Sequence, residues 1–125
     1  MFVCMLLITT AVPAVVSLKN NAINAMIPSS PLTRTVTNWT EIQKLLAQDG
    51  AANDWFGYSV SLSGNTALIG AMRDNDNGNV SGSVYVFIRT GTTWTQQAKL
   101  RASDGAADDR VGCSVSLSGD TALIG

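Results

Sequence analysis

From Tyr58 to Ser63 apolar and polar side chains alternate strictly, with Tyr58, Val60 and Leu62 set against Ser59, Ser61 and Ser63. A period of two is the mark of a half-buried β-strand. Gly64-Asn65 then separates this run from Thr66 to Met72, which is rich in Ala, Leu and Ile. A two-residue Gly-Asn connection suits a tight hairpin, because Gly accepts positive φ and Asn tolerates it. A polar loop, RDNDNGNVSG, leads to Gly82, and Ser83 to Arg89 (SVYVFIR) follows. The density of β-branched and aromatic residues there predicts a strand buried on both faces. Gly91 marks another turn, and Trp94 to Arg101 predicts a further, more polar and exposed strand. Helical periodicity is absent beyond the N-terminal leader.

The pattern occurs twice. Trp39 to Gly70 and Trp94 to Gly125 align at an offset of 55 residues without a gap, and 22 of the 32 positions are identical. A fixed period of this size predicts stacked copies of one supersecondary unit, each unable to bury its own faces alone. Four antiparallel strands per period point to blades packed around a central axis. A single sandwich is the weaker alternative, because it would not need the DGAxxD and SLSG segments duplicated nearly verbatim. One blade is expected from about Phe56 to Ala102. The strand at Glu41 to Ala47 would belong to the preceding blade, and Gly112 to Gly125 would begin the next. The second copy stops at Gly125 where the first continues into Ala71, so the array is expected to be cut mid-strand.

The chain divides into an apolar leader (1–25), a linker (26–38) and the repeats (39–125). The first 18 residues carry no charged side chain before Lys19 and resemble a secretory signal, with small residues for cleavage at Ser17 and Ala25. No Lys or Arg precedes the apolar core and Pro13 interrupts it, so an uncleaved anchor and a mis-started reading frame stay open. Either of the first two implies a secreted or cell-surface protein, touching membrane only through this segment. The net charge is −1 with the basic residues scattered, which disfavours nucleic acid as a partner. There is no histidine, which removes the usual general base and the common zinc spacings. Of the two cysteines, Cys113 takes the repeat position of Tyr58 and reads as a half-buried packing residue.

Phe56-Gly57 and, after a hairpin, Gly70-Ala71, in the context LLAQDGAANDWFGYSVSLSGNTALIGA, resemble the FG-GAP repeat family. These repeats build integrin α-chain-type β-propellers. The resemblance implies an all-β fold of antiparallel four-stranded blades and a role in interaction or adhesion. Each Gly would permit close backbone approach and Phe56 would plug into the adjacent sheet. In the second copy Val111 replaces the Phe and Gly112 remains. The family's Asp-rich calcium hairpin is here only Ser63 to Thr66, and Ser118 to Thr121 in the copy. That is too few oxygens for a cation wanting about six to eight. The calcium function is therefore not carried over, and no cofactor or metal is expected.

Asp74, Asp76, Asn75, Asn77 and Gly78 form the loop most like a metal site. Counting back from Gly78 in an EF-hand-like register puts Arg73 in the first ligand position and both Asp residues out of step, so a solvated turn is the better reading. Asp49 and Asp54, with Asp104 and Asp109 in the copy, repeat at one spacing. Capping of loop amides is favoured over acid/base chemistry, because repetition blade by blade points to structure. Asn38-Trp-Thr40 and Asn79-Val-Ser81 are glycosylation sequons, both placed in predicted loops. Trp39 and Trp94 read as packing residues and Trp55 as an exposed one. The leading expectation is a non-catalytic module that binds another protein or a surface glycan, alongside the neighbouring blades of its own propeller. The rivals are a propeller enzyme whose site lies elsewhere and an inert truncated remnant.

Overall fold

A computed structural model describes residues 15–22 and 37–125, all of them strand or connection. Eight strands run β1 (Val15–Ala22), β2 (Thr37–Leu45), β3 (Phe56–Ser63), β4 (Thr66–Ala71), β5 (Ser83–Thr90), β6 (Thr93–Leu100), β7 (Val115–Ser118) and β8 (Thr121–Ile124). They form a central antiparallel sheet ordered β3-β4-β5-β6, flanked by the two-stranded sheets β1-β2 and β7-β8. The duplicated stretch is thus a complete blade with parts of two neighbours. In the β3–β4 hairpin Gly64 alone takes positive φ (57°), and Gly119 does the same in β7–β8. That is the demand of a turn with Gly in its first central position, so Asn65 and Asp120 need no left-handed backbone.

Register assigns the two faces of the central sheet. Val60, Ile69 and Tyr85 share one face with Leu62, Ala67 and Phe87. On it a core forms from Phe56, Ile69, Ala71, Tyr85, Phe87 and Trp94, closed by Leu45 and Ala47 from the β2 side. Phe56 meets Tyr85 and Phe87 edge to face at centroid distances of 5.3 and 6.1 Å. The opposite face carries Ser59, Gly70 and Val84, then Ser61 and Leu68, and lies against β7. There Ser59 Oγ donates to the Gly112 carbonyl, while Ser61 Oγ and Ser63 Oγ accept from the amides of Leu117 and Gly119. A Cβ on Gly70 would overlap the Gly112 carbonyl and Ser59 Oγ, so glycine is what allows the sheets to approach here.

The alternating strand is not half-buried in the expected way: its apolar side lies on the core face yet stays open among the described residues. Tyr58, Val60 and Leu62 are exposed, and the intervening serines make the contact with the next unit. The leader also differs from expectation. Its described end is the strand β1, not a helix, because β-branched Val15 and Val16 sit well on a pleated edge and β2 offers one. β1-β2 copies β5-β6: Val15↔Leu45 matches Val84↔Leu100, and the bulge between Ser17 and Leu18 matches that between Val86 and Phe87. β1 therefore holds the third-strand position of a preceding blade. Residues 1–14 and 23–36, with the rest of the leader and most of the linker, lie outside the described residues.

Candidate functional site

The connections 46–55, 72–82 and 101–114 gather at one end of the sheets and knit together. Arg73 N donates to the Asp54 carbonyl, and the amides of Asp108, Arg110 and Val111 donate to the carbonyls of Asn79, Val80 and Ser81. Asp54 Oδ2 accepts from Ala51 N at 2.7 Å, and Asp109 Oδ2 accepts from Ala106 N at 2.6 Å. Both carboxylates therefore close a tight turn that also holds Asn53 and Asp108 at positive φ (75° and 69°).

Within this end Lys99 Nζ stands between three carboxylates, at 2.7 Å from Asp49, 2.6 Å from Asp74 and 2.7 Å from Asp76. Tyr85 Oη donates within 3.0 Å of both Asp49 and Asp74, and the ammonium lies 5.1 Å from its ring centroid. Arg101 reaches Asp76 from outside at 3.4 Å. Burial alone would lower the Lys99 pKa, but the three carboxylates more than offset it and hold the ammonium above its ordinary value. Burial likewise would raise Asp49, yet Lys99 and the Tyr85 hydroxyl bring it below the usual carboxylate range. The Tyr85 hydroxyl is pushed up, first by burial and then by its acidic neighbours. Asp49 reaches this cluster from the preceding unit, so the cluster fastens one repeat to the next.

Beside it lies an exposed platform. Trp55 stacks on Tyr58 with ring centroids 5.8 Å apart, and the Arg73 guanidinium lies 4.2 Å over the indole. Trp55 is held at φ 58°, a left-handed backbone that the turn below it dictates, and both rings remain exposed. The arrangement offers flat aromatic faces with one cationic edge, suited to stacking and to accepting groups on a ligand.

Other sequence-derived candidates fall as follows. Phe56 and Ala71 are in the core, and Gly70 and Gly112 sit at the seam with β7. Asp104, the repeat partner of Asp49, is exposed and joins no comparable cluster among the described residues. Asp74 is buried on Lys99 and Tyr85, which corrects the reading of its loop as merely solvated. Asn79 lies exposed in a loop, whereas Asn38 lies in β2 and not in a connection, because β1 draws the chain there into a ladder. Cys113 is exposed, not half-buried. Trp94 is buried and donates from Nε1 to Ser17 Oγ at 2.8 Å, while Trp39 is exposed for want of a preceding sheet among the described residues. Lys99 and Tyr85 were missed as site residues. The retention of Lys at both Lys44 and Lys99, beyond a stretch where Glu41 to Gln43 and Gln96 to Ala98 differ throughout, was the available signal.

Compared with known proteins, the family model described as FG-GAP repeat matches residues 39–87 and 94–125. Neither a curated protein nor a solved structure matches the chain.

Proposed function

The chain belongs to the FG-GAP repeat family, and on that footing we propose that it is an exported, non-catalytic interaction module whose loop end binds another protein or a surface glycan. The observation that carries this is the Trp55–Tyr58–Arg73 platform, two stacked aromatic rings left exposed with a guanidinium over one of them. Large aromatics in the open are enriched where partners are held, and a sugar ring or a planar side chain stacks on such a face. The fused loops beneath keep the platform in place before a ligand arrives, which reduces the ordering cost of binding.

Export is supported by the uncharged apolar stretch ahead of Lys19. Cleavage at Ser17 or Ala25 would sever or remove β1, so the reading keeps this segment on the mature protein. The test is a glycan array and a surface-protein pull-down with the full chain, followed by titration of any hit against Trp55→Ala and Tyr58→Ala. Saturable binding weakened about tenfold or more by each change is expected, as for a buried aromatic anchor. Saturable binding indifferent to both changes, or none at all, refutes it.

A further inference from the structure

Resting on the reading of the Trp55–Tyr58–Arg73 platform as the binding site, we propose that its ligand is a carboxylated sugar within an otherwise neutral glycan. The sugar ring lies on the exposed aromatics, and its carboxylate pairs with the Arg73 guanidinium. Trp55 and Tyr58 are 40% and 54% exposed. Arg73 is exposed beside them, its guanidinium 4.2 Å over the indole. Stacking of that kind occupies the face of the guanidinium and leaves its edge. The edge is a planar fork of N–H donors, which fits a carboxylate through two parallel hydrogen bonds.

The repeat does not require aromatics at these positions. In the second copy Arg110 and Cys113 stand where Trp55 and Tyr58 do, and the turn is unchanged, with φ 58° at Trp55 and 56° at Arg110. The two rings are therefore not dictated by the fold. Nor do neighbouring units of the described chain cover them. Arg110 and Cys113 stay exposed although the preceding unit docks its Val80 carbonyl on the Arg110 amide and half-buries Val115 and Leu117 close by. Trp55 and Tyr58 stay exposed with the following unit in place, β7 lying against β3. Between them the two copies probe both flanks of this position, and both leave it open.

Arg73 is also uncommitted. All nine Asp and Glu side chains of the chain are among the described residues, and none of them pairs with it. The nearest along the chain are engaged elsewhere. Asp54 closes its turn on the Ala51 amide, Asp74 is held by Lys99 and Tyr85, and Asp76 by Lys99 and Arg101. Arg101 and Arg89, by contrast, have protein partners in Asp76 and Asn65. A cation fixed in place by stacking, with its donors unspent, is a preformed seat for an anionic group.

The surroundings limit how much charge the ligand carries. Asp49, Asp76, Asp104, Asp108 and Asp109 are exposed on the same three connections. Their field repels a densely sulfated polysaccharide, and it is tolerated by a glycan with isolated carboxylates. The form of the site favours a glycan over an acidic peptide. Protein hot spots cluster in fully desolvated pockets. The main cavities of the described residues lie between β1 and the β3–β4 hairpin and along β6, and neither Trp55 nor Tyr58 lines them. A pyranose needs no pocket, because its polarised C–H bonds rest on the negative face of an aromatic ring.

The experiment titrates the full chain with glucuronate-, galacturonate- and sialate-terminated trisaccharides. Each is paired with its carboxyl-reduced counterpart, in which a neutral hydroxymethyl group replaces the carboxylate. At least one acidic saccharide is expected to bind about tenfold more tightly than its reduced form, as for a hydrogen-bonded charge pair. Arg73→Gln should erase that difference, and Arg73→Lys should keep only part of it, because an ammonium lacks the planar fork. Trp55→Ala should weaken both members of the pair, and Arg101→Gln neither. Each variant is first checked for strand content by circular dichroism. Equal binding of acidic and reduced forms, acidic binding indifferent to Arg73→Gln, or no acidic saccharide bound at all overturns the proposal. Preference for a heparin oligosaccharide or an acidic peptide overturns it as well. In any of these cases, binding of another probe that is lost in Trp55→Ala leaves the platform reading standing, so the two failures are distinct.

Discussion

Replacing Lys99 by methionine keeps an apolar stem against the Tyr85 ring and removes only the ammonium. Three carboxylates lose their counter-ion, but they do not lose equally. The side chains of Asp49 and Asp76 are 48% and 43% exposed, and water screens each to a contribution of about 0–1 kcal/mol. The side chain of Asp74 is 3% exposed, so its charge would be left buried, a situation that costs about 3–5 kcal/mol. Asp74 keeps the Asp76 amide on Oδ1 at 2.9 Å and the Tyr85 hydroxyl on Oδ2, which places the loss near the lower end, about 3 kcal/mol. Urea denaturation followed by tryptophan fluorescence reads this directly, as a lower midpoint at unchanged slope. The double variant Lys99→Met, Asp74→Asn should recover most of the loss, because no buried charge remains. A single-variant loss below about 1 kcal/mol, with no recovery in the double, would mean that the cluster behaves like surface pairs and would refute the reasoning.

The pH profile of stability follows from the same groups. Asp49, with its folded pKa lowered, contributes above the ordinary carboxylate value and loses that contribution as pH falls below about 4; Lys99 and Tyr85, both raised, contribute fully at neutral pH and fade above about pH 10. Denaturation midpoints across pH should therefore show a plateau with two falling limbs, the alkaline one flattened in Lys99→Met. Gly70→Ala forces a methyl into the Gly112 carbonyl, and because the obstacle is backbone the urea midpoint should fall by the equivalent of about 2–3 kcal/mol. Ser83 Oγ is buried without a hydrogen-bond partner among the described residues, so Ser83→Ala should raise thermal stability by about 1 kcal/mol or leave it unchanged, and a clear loss would show that the hydroxyl is in use.

The strands and their hairpins were legible from periodicity, and the duplicated segment marked the unit to within a few residues of β3 to β6. Alternation did not reveal which side of β3 meets a neighbour. Tyr58, Val60 and Leu62 look like the buried set by hydropathy, yet the serines make the closer contact, because a strand lying near another backbone needs small side chains there. The Lys99 cluster was hidden for a different reason. Asp49 and Asp76 stand 50 and 23 residues away along the chain, and only the assembled loops bring them together. β1 was hidden because an uncharged apolar run at an N-terminus reads as a leader by composition, whereas its role as a strand depends on an edge that β2 supplies.

The volumes at the seams account for why such sheets should turn about an axis and not stack in parallel. At the inner strands the facing sheets meet through serine hydroxyls and glycine, with β3 touching the backbone of β7 directly. Toward the outer strands β5 and β6 the equivalent space on the preceding side is filled by Tyr85, Phe87 and Trp94, with Leu45 from β2, large side chains that hold the sheets apart. Since the repeats are equivalent, every seam is thin at the β3 edge and thick toward β6. Sheets separated by wedges of one sense must rotate successively about a line beside their thin edges, as the blades of a propeller do. The position-specific choice of serine and glycine inside against aromatics outside is then the physical content of the repeat. The loop bearing Trp55 and the end of β6 bearing Lys99 share one end of that array because each blade presents its long connections to the same side.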